Sequence, residues 1–182
     1  MLKDILLDTA ANKILSFLTL HKDGSFYDKE VSERTGLSRG ITNTLLNQFY
    51  EYGLVTRERR GRMWFYSLSE SPLFKHFRIY ENLVDLSDLT NALKSIAIRI
   101  ILFGSAARGE DTVDSDIDLF VITTDKDKAF KAIREFKTER EIKPVINTPT
   151  EYATSRKVDK AFYEEVAKGI VLFEKEADEQ RL

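Results

Sequence analysis

The sequence contains no cysteine, so disulfides and thiolate metal sites are excluded, and a reducing compartment suits the chain. It contains no run of about 18 apolar residues, so no segment reads as a membrane-spanning helix. Its start, MLKDILLDTAANKILSFLTL, breaks its apolar positions with aspartates and an asparagine and does not read as a signal peptide. The expected location is the cytoplasm. Proline and glycine are scarce, three and eight of 182 residues, and neither an internal repeat nor a low-complexity segment is present. A strong charge of one sign is also missing, since the formal net charge is -2. That value conceals a small split: residues 1–75 hold 11 Lys and Arg against 9 Asp and Glu, and the remainder holds 17 against 21. What is abundant is apolar side chain, 42% of the chain, enough for a packed core and against global disorder.

In the first part, Ala10, Ile14, Phe17 and Leu18 recur with helical spacing. A short helix follows, with Asp28 as its expected cap, Val31 inward and Gly36 as its stop. Ser38 is the expected N-cap of a third helix that places Ile41, Leu45, Leu46 and Phe49 on one face and ends at Gly53. Two β-rich runs, Leu54–Arg57 and Met63–Leu68, flank a turn near Arg60 and Gly61. Helix, short helix, three-residue turn, helix and basic hairpin together resemble a winged helix-turn-helix of bacterial and archaeal regulators. The resemblance implies double-stranded DNA as a partner. The helix beginning at Ser38 would enter the major groove, with Arg39, Thr42 and Asn43 facing outward to base edges or phosphates. Arg57, Arg59, Arg60 and Arg62, four arginines within six residues, would form the wing and reach phosphates or the minor groove. Such a shape also serves as a dimerisation or protein-docking module, with its arginines solvated.

Ser71-Pro72 interrupts the chain, and Phe74, Phe77, Tyr80, Leu83, Val84, Leu86, Leu89 and Leu93 then follow helical spacing, with Asp88 a candidate cap. Beyond them, helices alternate with apolar strands. IRIILFG, DIDLFVIT, IKPVIN and IVLFE read as strands, and Pro144 assigns the third an edge or irregular position. DKAFKAIREFK, with Phe130, Ile133 and Phe136 inward, and DKAFYEEVAKG read as helices. The expected architecture is therefore two domains: a mainly α winged helix-turn-helix with a β-hairpin over residues 1–72, a helical connector over 73–97, and an α/β mixed sheet flanked by helices over 98–182. The connector is the surface from which a homodimer would form.

The chemistry concentrates in FGSAARGEDTVDSDIDLFVI, residues 103–122. Asp116 and Asp118 are two apart on an expected strand, so they project to one side while Ile117, Leu119 and Val121 pack on the other. Adjacent carboxylates repel and lose hydration unless a cation lies between them. Mg²⁺ or Mn²⁺ removes that conflict, because hard cations take one or two carboxylates together with phosphates and water. Gly104 and Ser105 follow a strand directly, in a turn whose backbone amides can hold phosphate. Gly-Ser, ten residues, then Asp-apolar-Asp resembles the signature of the nucleotidyltransferase superfamily that includes polymerase beta, and especially its minimal members. The resemblance implies a mixed sheet with helices, an NTP, ATP by first expectation, and a divalent metal. It assigns Gly104, Ser105 and Arg108 to the phosphates and Asp116 and Asp118 to the metal. Minimal members are often paired with a small toxin protein that they neutralise, so a toxin-like protein partner is implied on the same ground.

Catalysing members of that superfamily add a third carboxylate from a later strand. The matching strand, EIKPVINT, has no acid at its centre; Glu141 precedes it and Glu151 lies just past it. Glu141 is the expected third catalytic acid, because it shares parity with Lys143 and Val145. Two functions remain open at this point. One is a metal-dependent transferase that moves a nucleoside monophosphate to a hydroxyl and is targeted by a DNA-binding head. The other is a DNA-binding regulator whose second domain senses a nucleotide or holds a partner without turnover.

Overall fold

The computed structural model describes residues 2–176. The chain divides into two compact units, Lys3–Arg78 and one that begins at Ile79. No helix among the described residues is long and apolar enough to cross a membrane.

The first unit opens with α1 (Leu2–Leu6) and α2 (Ala10–Leu20), the latter capped by the Thr9 hydroxyl, which accepts from the Asn12 amide. β1 (Phe26–Tyr27), α3 (Asp28–Thr35) and α4 (Arg39–Glu51) follow. Gly36, at φ 70°, closes α3 in the left-handed region that glycine tolerates, and Ser38 caps α4 by accepting from the Ile41 amide. β2 (Val55–Arg60) and β3 (Met63–Leu68) form a hairpin around Gly61 and Arg62, and the sheet runs β1-β3-β2, antiparallel throughout. Ile14, Leu18, Val31, Leu46 and Tyr66 make the core between helices and sheet.

Two sequence expectations for α4 are corrected. Ile41 is 49% exposed, and Thr42, expected to face outward, is fully buried and donates its hydroxyl to the Ser38 carbonyl. The buried line is Thr42, Leu46 and Phe49, at spacings of four and three. Ile41 stands one residue, about 100°, away from it. Asp28 is also not the cap of α3: that position is Tyr27, and the Asp28 carboxylate is engaged by Arg39.

The second unit contains the end of α5 (Pro72–Asp85), then α6 (Ser87–Leu93), β4 (Ala97–Phe103), α7 (Gly104–Arg108), β5 (Ile117–Thr123), α8 (Lys126–Glu135) and β6 (Ile142–Asn147). α9 (Pro149–Val158), α10 (Lys160–Ala167) and β7 (Ile170–Glu174) complete it. The sheet order is β6-β5-β4-β7, with β5 and β6 parallel and both β4 pairings antiparallel. α8 is the crossover that a parallel pair requires. Pro144 lies in edge strand β6, where a missing N–H can face away from the ladder.

Alternation along the strands divides the core. Ile100, Leu102, Ile117, Leu119 and Val121 pack on one face with Leu89 and Leu93 of α6 and Ala129 and Ile133 of α8. Ile101, Phe103, Phe120 and Ile122 pack on the other with Tyr163 and Val166 of α10. Each large apolar side chain fully buried contributes about 1.5–3 kcal/mol. Phe130, expected inward, is 53% exposed; Ala129 and Ile133, four apart, take the inner line of α8 instead. Asp88 is not the cap of α6, whose N-cap is Leu86. α9 is a helix beyond the expected set. Thr148 and Glu151 form its capping box, with proline in its first turn.

One buried polar cluster ties the β4–β5 connection down. Asn82 of α5 donates to the Ala106 carbonyl and to Asp111, and Arg140 donates to both Asp111 and Asn82. Asp111 is 1% exposed and Asn82 is fully buried. Removing one partner of a buried ion pair leaves an uncompensated charge. Asp111→Ala should therefore lower the unfolding free energy of the second unit by about 3–5 kcal/mol. Urea titration followed by far-ultraviolet circular dichroism tests this, and a loss below about 1 kcal/mol would assign the cluster no such role.

Candidate active site

β4 ends at Phe103 and the chain turns at Gly104, φ 70°, into the short helix α7. Positive φ is one reason for glycine here, and space is the other. A Cβ on Gly104 would overlap the carboxylate of Asp118. Asp118 is the second residue of β5, opposite Phe103 on one side and Lys143 of β6 on the other. It lies on the α10 face of the sheet with Phe120 and Ile122, while Ile117, Leu119 and Val121 pack into the opposite core. Asp116 stands one residue before β5. The Ser115 hydroxyl fixes the preceding turn by accepting from the Thr112 amide at 2.9 Å. The Gly-Ser turn and the two aspartates thus meet at one end of the strand pair β4–β5.

The pair is electrostatically loaded. Burial, and next the Asp116 charge, push the Asp118 carboxyl above its ordinary range, while Lys143 and Arg108 pull it down. Lys143 reaches across from β6 to Asp116, with Nζ 2.5 Å from Oδ2. That hydrogen bond raises the ammonium pKa. A pocket of about 360 Å³ adjoins Gly104 and is lined by Ala107, Arg108, Glu165, Lys168 and Gly169. Arg108, expected at phosphate, lines this pocket and is ion-paired to Glu110 and Glu165. Lys168 lies 3.6 Å from Glu165 on the same rim.

Glu141, expected as the third acid, acts by its charge on Lys143 beside Asp116. Glu141 is exposed just before β6, and its carbonyl accepts from the Ile117 amide. Glu151 is committed to the α9 capping box and to Lys126. Among the described residues no three His, Cys, Asp or Glu side chains are grouped for a metal ion. Beside Asp118 on the neighbouring strand stands Lys143, whose place in EIKPVINT is visible but whose pairing depends on register.

In the first unit the residues expected at DNA differ in what already holds them. Asn43 is exposed on α4, whereas Arg39 is held by Asp28, Nε to Oδ2 at 2.6 Å. Arg59 and Arg62 are exposed on the hairpin. Arg60 pairs with Glu58 and lies over the Phe65 ring. Arg57 is partly buried between the rings of Tyr50, 4.0 Å from its centroid, and Trp64, and also donates to Asn47. Cation–π contact of this kind holds a guanidinium in place. Thr42, being buried, reaches no partner outside the unit.

The family described as "Polymerase beta, Nucleotidyltransferase" matches residues 80–178. Among curated proteins none matches the chain. Among solved structures, hypothetical protein PyrSV_gp04 from Pyrobaculum spherical virus is similar at 25% identity with a TM-score of 0.29. The match covers 50% of this chain and 56% of that one, so the chain spans little more than half of that protein.

The two constraints on Gly104 can be separated by measurement. Gly104→Ala should cost more than about 1 kcal/mol, since it adds left-handed strain and a clash with Asp118. In an Asp118→Ala background the cost should fall toward the strain alone, giving a coupling of about 0.5 kcal/mol or more. Strict additivity in urea denaturation would mean that Gly104 and Asp118 do not touch.

Proposed function

The chain belongs to the polymerase beta nucleotidyltransferase family, and on that premise we propose that its second unit binds a nucleoside triphosphate and transfers the nucleoside monophosphate to a hydroxyl acceptor. The observation that carries this reading is the contact of Gly104 with Asp118, which joins the Gly-Ser turn to the carboxylate pair. In such a transfer the acceptor oxygen bonds to the α-phosphorus, the bond to the bridging oxygen breaks, and pyrophosphate leaves as the acceptor loses its proton. Positioning and charge stabilisation supply most of the rate in this chemistry.

The residues present fit one divalent cation. Asp116 and Asp118 are oxygen donors on one face, and their mutual repulsion is what such an ion relieves. When bound, it would neutralise phosphate charge. The chain's own residues do the rest of the binding. The amides of the Gly104 turn face a phosphate, Ser105 offers its hydroxyl, and Arg108 and Lys168, both paired with Glu165, line the adjoining pocket from which they can turn to it. ATP is the first nucleotide to test. A nucleotide sensor without turnover is the second reading, and Lys143 in the place of a third acid favours it.

For the first unit we propose a winged helix-turn-helix that binds double-stranded DNA and targets or regulates the second. Asn43 on α4, with Arg59 and Arg62 on the hairpin, are the side chains whose exposure supports contact with DNA. Arg57 and Arg39 support it by holding the hairpin and α4 in shape.

Two outcomes test these readings. In calorimetry with ATP, GTP, CTP and UTP in Mg²⁺, one nucleotide should bind, and Asp116→Asn with Asp118→Asn should weaken it at least tenfold, about 1.4 kcal/mol. Equal affinity in both proteins would remove the carboxylates from the site. In gel retardation of duplex DNA, log Kd should vary with log salt. Arg59→Ala with Arg62→Ala should reduce that slope by about 1.8, or 0.9 for each lost phosphate contact. An unchanged slope would remove the hairpin from the interface.

A further inference from the structure

We propose that Lys143 supplies, from within the chain, the positive charge that a second divalent cation would bring to Asp116 and Asp118, so that the site takes a single ion. This rests on the nucleotide-binding reading of the same site.

The placement follows from register. β5 and β6 are parallel with Asp118 opposite Lys143, so the two side chains emerge on the same face of neighbouring strands. Neighbouring strands lie about 4.8 Å apart, within reach of a lysine side chain from either aspartate. The contact is made: Nζ is 2.5 Å from Asp116 Oδ2. A lysine ammonium has three donors and no acceptor, so it satisfies a carboxylate and repels a metal ion. On the Gly104 side of the pair stands Arg108, which is itself paired with Glu110 and Glu165. Lys143 thus places a cation on the carboxylate pair from within the chain.

Of the two acids near the strand, Glu151 is committed elsewhere, and the Glu141 charge acts on Lys143. The Glu151 carboxylate accepts from the Thr148 amide and pairs with Lys126. Glu141 stands outside the strand at its start, and no three-acid group forms among the described residues. The Lys143 side chain is 59% exposed, so it reaches the pair from the solvent edge of β6 and its replacement leaves the core intact.

The test titrates Mn²⁺ alone into the full chain and reads bound and free ion by electron paramagnetic resonance. It compares the native protein with Lys143→Met, Lys143→Asp and the Asp116→Asn, Asp118→Asn double variant. The native chain should bind one ion that the double variant loses. Lys143→Met should bind one ion at least tenfold more tightly, and Lys143→Asp should bind two. Thermal melts of each variant confirm folding. Two ions in the native chain, or Lys143 variants with unchanged affinity and stoichiometry, would overturn the role of Lys143 and leave the nucleotide site standing. No Mn²⁺ bound by any of the four proteins would overturn the metal-dependent reading and this proposal with it.

Discussion

The second unit depends on the buried pair of Asp111 and Arg140, completed by Asn82. Asp111 is 1% exposed and Asn82 fully buried, so the charge has no water to fall back on. A buried ion pair adds little net stability over an apolar replacement, yet its geometry is exacting because each partner needs the other. Here that geometry is applied to the connection between β4 and β5, which the Thr112–Ser115 hydrogen bond also holds. Asn82 grips the Ala106 carbonyl inside α7 and Asp111 just beyond it. Arg140, from the segment that leads into β6, closes the cluster. The turn at Gly104 and the approach to Asp116 are therefore fixed from behind, away from the face that carries the carboxylates.

That fixed turn makes the close packing at the site tolerable. Asp118 sits where a Cβ on Gly104 would be, so the backbone and the carboxylate share a space that only glycine leaves open. Burial and the neighbouring Asp116 charge both work against ionisation of Asp118, and Lys143 and Arg108 work for it. Lys143 bonds Asp116 on one side of the pair, and on the other lies a pocket whose Arg108 and Lys168 both pair with Glu165. On the proposed function, this is where a polyphosphate would be held.

In the first unit, arginine does two kinds of work within one short hairpin. Arg57 lies between two aromatic rings and bonds Asn47 of α4, so its charge is spent on joining hairpin to helix. Arg59 alternates with Arg60 along β2, so the two emerge on opposite faces. Arg60 is partnered by Glu58 and the Phe65 ring. A run of four arginines in the sequence is thus not four equivalent contacts for a nucleic acid.

The sequence by itself determined what is local. Helical spacing placed Ile14, Leu18 and Val31 in a core, Ser38 at a cap and Gly36 at a helix end. The parity of Asp116 and Asp118 against Ile117, Leu119 and Val121 followed from strand geometry alone. The Gly-Ser and Asp-apolar-Asp spacing was legible for the same reason, since both halves lie within fifteen residues on one strand, turn, strand path. Only the tertiary structure decided which of two adjacent residues a helix buries, Thr42 over Ile41 and Ala129 over Phe130, because one residue is a rotation of about 100° and the neighbouring elements choose. It alone joined Lys143 to Asp116, Asp111 to Arg140 and Arg57 to Tyr50 and Trp64. Each of these is a contact between elements, and its existence rests on strand register and packing, which no local period encodes.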